Sequence, residues 1–197
     1  MKLTRRHLIT AGPLLVPLFF SGCISPPKPV YDSTLWSPAD VDSIALLPLV
    51  DLRPEKVKMS DFNRIGQKAM RKQLKHWKYT CVVSDQAIPE NTGLEESFLK
   101  PSKEWVSALP EPGQRWIMVA VIHDVTRRIT FGSVGNAEVS VHLFDRSSGL
   151  RVWQAKGLGQ AGQGGVVGML MVGMMDEDAL MSALGNALFQ LPRRDKK

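Results

Sequence analysis

Between residues 43 and 84 the hydrophobic period of the chain changes twice, and this constrains the fold more than any other feature. Ser43-Ile44-Ala45-Leu46-Leu47-Pro48-Leu49 is an apolar run closed by a proline, the pattern of a buried strand. Asp51-Leu52-Arg53-Pro54 follows as a loop. Over residues 60–77 the apolar positions Phe62, Ile65, Ala69, Met70, Leu74 and Trp77 recur at helical spacing, with Ser60 as a cap and Asp61 suited to the positive helix end. Residues 79–84 then return to a strand pattern. A strand–helix–strand unit favours a layered α/β fold.

The rest of the chain extends that architecture. Residues 85–113 are polar and carry Pro89, Pro101, Pro110 and Pro112, with short helices expected at 94–99 and 102–109. Residues 116–122 form a continuous apolar run, as in a central strand covered on both faces. In residues 137–144, Val139, Val141 and Leu143 alternate with Glu138, Ser140 and His142. Arg146-Ser147-Ser148-Gly149 reads as a turn into a partner strand at 150–155, which makes a hairpin. A closing helix places Leu180, Leu184, Leu188 and Leu191 on its core side and stops at Pro192. The expected fold is α/β: a single-domain mixed sheet of about five strands with helices packed on it, over residues 36–192, with a basic tail at 193–197.

The first 22 residues read as an export signal. Lys2, Arg5 and Arg6 precede a 13-residue apolar stretch, Leu8 to Phe20. That is the length of a signal core and well short of the ~20 residues of a spanning helix. Phe20-Ser21-Gly22-Cys23 resembles a lipobox, in which small residues lead to a cysteine that becomes the acylated first residue of the mature chain. Thr4-Arg5-Arg6-His7-Leu8 also looks like a twin-arginine signal, and a plain signal front end fits it as well. Acylation at Cys23 with two or more chains anchors stably, at about 0.8 kcal/mol per buried methylene. Ile24 stands where an aspartate would argue for inner-membrane retention, so an outer-membrane anchor facing the periplasm is expected. Residues 23–35, with Pro26, Pro27 and Pro29, read as a tether.

Loss of the signal removes three basic residues and lowers the formal charge from +6 to +3. With no binding motif beside so small a charge, nucleic acid is not an expected partner. Once Cys23 carries lipid, Cys81 is the only thiol and has no internal disulfide partner; a buried small hydrophobe is its expected role.

The order strand, helix, strand, linker, central strand, hairpin and closing helix resembles the amino-terminal domain of TolB and the related domain of the curli-secretion lipoproteins and other small envelope lipoproteins. The likeness rests on Ile44-Ala45-Leu46-Leu47-Pro48-Leu49-Val50-Asp51, on residues 116–124, and on the hairpin Leu143-Phe144-Asp145-Arg146-Ser147-Ser148-Gly149-Leu150-Arg151-Val152-Trp153. One branch of these lipoproteins also has a Gly-rich apolar stretch before its last helix. The resemblance implies a non-catalytic binding or assembly module and carries no catalytic residues across.

Candidate chemistry is sparse. His123 and Asp124 end the central strand while His142 and Asp145 lie on the next, so a small His/Asp cluster would form if those strands pair. Ordinary strand-end polar residues are the plainer reading, since the spacing matches no metal motif. Gly132-Ser133-Val134-Gly135 lacks the Lys-Ser/Thr pair of a phosphate loop. No metal or cofactor is expected. Arg64, Lys68, Arg71 and Lys75 form a basic helical stripe, a contact for anionic lipid or an acidic partner, or else a solvated helix face. Residues 157–175 contain seven glycines in 19 residues, and residues 166–175 are wholly apolar or glycine with four methionines. This segment packs closely on the sheet, or is an adaptable contact, or inserts shallowly in membrane. Gly164, Gly168, Met169, Met171 and Gly173 are its candidate contacts for a partner or a second copy.

The function expected is a non-catalytic envelope lipoprotein that docks on a protein partner or on itself. A subunit of a secretion channel of curli-secretion type is the first alternative, and an envelope hydrolase the second.

Overall fold

The structure, a computed structural model, describes residues 28–31, 34–54, 62–89, 93–130, 132–164 and 172–194. Its strands are β1 (Val30–Tyr31), β2 (Ile44–Leu46), β3 (Val50–Asp51), β4 (Cys81–Val83), β5 (Trp116–Thr130), β6 (Gly132–Asp145) and β7 (Leu150–Gly164). Its helices are α1 (Phe62–His76), α2 (Leu94–Leu99), α3 (Lys103–Ser107) and α4 (Val172–Leu188). The strands form one mixed sheet in the order β1-β7-β6-β5-β2-β4, with β3 also beside β5.

The β2–α1–β4 unit is the one expected: β2 pairs in parallel with both β4 and β5. Leu47-Pro48-Leu49 interrupts the apolar run, and the chain rejoins β5 as the two-residue β3. Lys78, at φ 66, takes the left-handed position that ends α1 and turns the chain into β4. The helices divide between two faces. Packing of α1 and α4 on one face buries Met70, Leu74, Leu180, Leu184 and Leu188 against Met118, Ala120, Val139 and Val141. On the other face, Leu94 and Phe98 of α2 and Val106 of α3 cover Ile117, Val119, Val121 and Phe144.

Seven strands replace the expected five or so. The additions are β1 and β3, two residues each and too short to show a period of two. With β1 the sheet also reaches into the segment read as a tether. The larger difference is length. Strands β5, β6 and β7 run for 15, 14 and 15 residues and form a continuous meander, so the central strand and hairpin are one unit. At ~3.3 Å per residue each spans about 50 Å. Along this length α4 lies on a floor of small residues. A side chain at Gly157 or Gly159 would run into the backbone of Ala183 or Ala179, and one at Gly135 into that of Met175.

Candidate binding groove

Helix α1 is held on the carboxyl ends of β2 and β4 by side chains reaching backbone. The Asn63 Oδ1 accepts from the Leu49 N–H at 2.7 Å, and the Gln67 Nε2 donates to the Ser84 carbonyl at 2.9 Å. These bonds fix one side of α1, and on the adjoining outer side Arg64, Lys68, Arg71 and Lys75 are exposed. Three of the four line a groove of about 560 Å³ with Pro48, Asn63, Gln67, Val83 and Asp85; Lys75 is not in its lining. It opens at the carboxyl ends of two parallel strands, where ligands of α/β sheets characteristically bind.

Beside the groove lies a sheet edge. The Ile44 N–H donates to the Thr80 carbonyl and the Ser84 N–H to the Leu46 carbonyl, so the alternate residues Cys81 and Val83 turn their backbone groups away from β2. Among the described residues no strand pairs with that side of β4. Val82 is 45% exposed and Val83 38%. Cys81 is half-buried rather than fully enclosed; burial pushes its thiol pKa up, and Arg71 acts against that shift.

The expected His/Asp cluster takes another form. Ile122 pairs with Val139 and Asp124 with Glu138, so His123 is the extra residue of a bulge. There its Nε2 bonds the Ser140 Oγ at 2.7 Å, and the same hydroxyl bonds the His142 Nε2 at 2.7 Å. Asp124 is exposed, and Asp145 is engaged elsewhere. Its carboxylate accepts from Arg115 at 2.9 and 3.0 Å and from the Ser147 N–H and hydroxyl. Desolvation works against that carboxylate, but these bonds outweigh it and bring its pKa down to about 2.

Ser140 is fully buried, so this hydroxyl is a packed hydrogen-bond link and not an accessible nucleophile. Burial drives the His142 pKa down to about 3, with Arg151 and His123 adding to the effect. The ring is neutral and stacks on Phe144 at 6° between planes. Burial also lowers the His123 pKa. Ser140 escaped sequence reasoning, since a serine alternating with valines carries no signal of its own. Among the described residues no three His, Cys, Asp or Glu side chains group as metal ligands.

Of the candidate contacts in the Gly-Met segment, Gly164 ends β7 with no described atom near its Cβ position, and Gly173 lies in the first turn of α4. Gly168, Met169 and Met171, like the acylation candidate Cys23, lie outside the described residues. The preceding glycines, Gly157 and Gly159, serve the close packing of α4. No described helix is long and apolar enough to cross a membrane.

No protein-family model and no curated protein matches the chain. Among solved structures, it is similar to a single-residue variant of PelC from Paraburkholderia phytofirmans, a dodecamer. The two are 13% identical over 85% of this chain and 97% of that one, with a TM-score of 0.52. The lipoprotein GNA1162 from Neisseria meningitidis is 16% identical over 66% of this chain and 92% of its own, at a TM-score of 0.42. The carboxyl-terminal domain of LpoB from Salmonella enterica is 11% identical over 60% and 82%, at 0.37. At this identity the likeness to the PelC variant establishes the fold, a single mixed α/β domain, and no more than the fold.

Proposed function

We propose that the protein is a non-catalytic lipoprotein, anchored through Cys23 to the periplasmic face of the outer membrane, that binds an envelope protein partner. The observation that carries this reading is the junction of the basic groove with the edge of β4 that no described strand covers. Lys68 and Arg71 stand beside outward-facing backbone groups, an arrangement suited to an extended acidic segment adding a strand to the sheet. Backbone pairing supplies affinity there, and the cations select charge and register.

Two measurements test it. Replacing Cys23 by serine is expected to move the protein from the membrane to the soluble fraction and remove the acyl mass; retention in the membrane would refute the anchor. A photo-crosslinking residue at Val83, in intact envelopes, is expected to give one discrete adduct. Its yield should fall about tenfold or more in a Lys68→Glu/Arg71→Glu variant, since each like-charge contact costs on the order of 1 kcal/mol or more. An adduct indifferent to those charges would count against the groove.

Self-association is a second reading, favoured by the outer face of α4. Met174 and Met181 on the helix, and Phe189 just past its end, are 58%, 39% and 67% exposed. PelC, which shares the fold, is a dodecamer. A native mass above the monomer in mild detergent should drop in a Met174→Asp/Met181→Asp variant. A mass already monomeric would remove this reading.

A further inference from the structure

Strand β1 sets the direction in which the amino-terminal segment leaves the domain. Val30 pairs with Gln154 and Tyr31 with Trp153, antiparallel. Going back from Tyr31 through Val30, the strand therefore heads the way β7 heads, towards Gly164 and the β5–β6 turn. Gly164 lies ten residues beyond Gln154, about 33 Å along the strand. Cys23 lies seven residues before Val30, and seven residues fully extended reach at most about 25 Å. Along this line Cys23 itself cannot pass the far end of the sheet. A bilayer holding the lipid of a Cys23 on this line would meet the end of the meander.

That end has the residues for a headgroup contact. Ile129 is 56% exposed on β5 and Met174 58% exposed at the start of α4. Arg128, next to Ile129 in sequence and on the opposite face of β5, is exposed, whereas Arg127 on the α4 face is bound by Asp176. Glu177 and Asp178 follow on α4. Apolar side chains on one face of a sheet end and an arginine on the other suit the boundary between headgroups and acyl chains, where the guanidinium meets phosphates. We propose that the end of the meander, centred on Arg128, Ile129 and Met174, rests in the headgroup layer of the membrane to which Cys23 is anchored. The inference rests on the anchoring proposed above. It stands the domain upright. Since Leu46 pairs with Met118, twelve residues short of Thr130, the groove is held at most about 40 Å from the bilayer and opens towards it.

The test uses the full-length lipidated protein in vesicles of phosphatidylethanolamine and phosphatidylglycerol, in a Cys81→Ala background. A fluorophore is attached at Ile129→Cys or, at the opposite end of β7, at Leu150→Cys, a position 44% exposed. Met174→Cys provides a second position should Ile129→Cys misfold. Quenching by a spin-labelled lipid is expected to be several-fold stronger at 129 or 174 than at 150. Equal or reversed quenching, with Cys23 shown by mass to be acylated, would overturn this orientation and leave the anchor standing. A Cys23 without acyl mass would overturn both.

Discussion

Valine at Gly157 or Gly159 is expected to destabilise the domain by about 3 kcal/mol or more, the upper end of what overpacking costs. An ideal Cβ at Gly157 would overlap the Ala183 carbonyl and come 2.8 Å from the Ala187 nitrogen. At Gly159 it would overlap the Ala179 carbonyl and come 3.0 Å from the Ala183 Cα. These are backbone atoms, so no rotamer change gives way; α4 itself must move. That helix buries Ala179, Leu180, Ala183, Leu184, Ala187 and Leu188 completely, and lifting it opens the largest part of the core face. A loss of this size is a large share of the about 5–15 kcal/mol that holds a domain folded. Gly164 offers the contrast, since a Cβ there meets no atom of the described residues within 4 Å. Gly164→Ala should change stability by less than about 0.5 kcal/mol. Urea unfolding reads both. A Gly159→Val midpoint close to the parent's would mean that α4 does not sit on this floor.

The same contact explains what could and could not be read from the chain. The β2–α1–β4 unit, α2, α3 and the β6–β7 turn were legible because each follows a local rule: a period, a proline or serine boundary, a glycine at φ 72 in Gly149. The run from Gly157 to Gly164 was not legible as a strand. Glycine is disfavoured there, and the reason for it lies in the alanines of α4, some twenty residues further along the chain. The outer half of β5 was obscured differently. The bulge at His123 breaks the alternation, and Thr126, Arg127 and Arg128 give that half the look of a loop. The basic stripe of α1 was visible as spacing alone. Its placement beside a strand edge that no described strand pairs with is a property of the sheet order, which no local pattern encodes. His142 was visible as a polar residue of the alternating strand, but its burial under Phe98 and Phe144 was not.

That burial makes the domain sensitive to mild acid. In the unfolded chain the His142 imidazole titrates near its ordinary value of 6.5, and in the folded domain only near 3. The unfolded state therefore binds this proton more tightly. Stability contributed by the neutral ring is complete above pH 6.5 and falls steadily as the pH drops towards 3. The slope is about 1.4 kcal/mol per pH unit, so the loss reaches about 2 kcal/mol by pH 5. The lowered His123 pKa acts with the same sign. A phenylalanine at 142 would keep the stack on Phe144, abolish the titration and leave Ser140 its bond to His123. Parent and His142→Phe should then diverge below pH 6.5 in urea midpoints measured at a series of pH values, with the variant losing the shallower share. Parallel curves from pH 7 to 4 would show that His142 takes up its proton in the folded state, and hence that the ring is open to water.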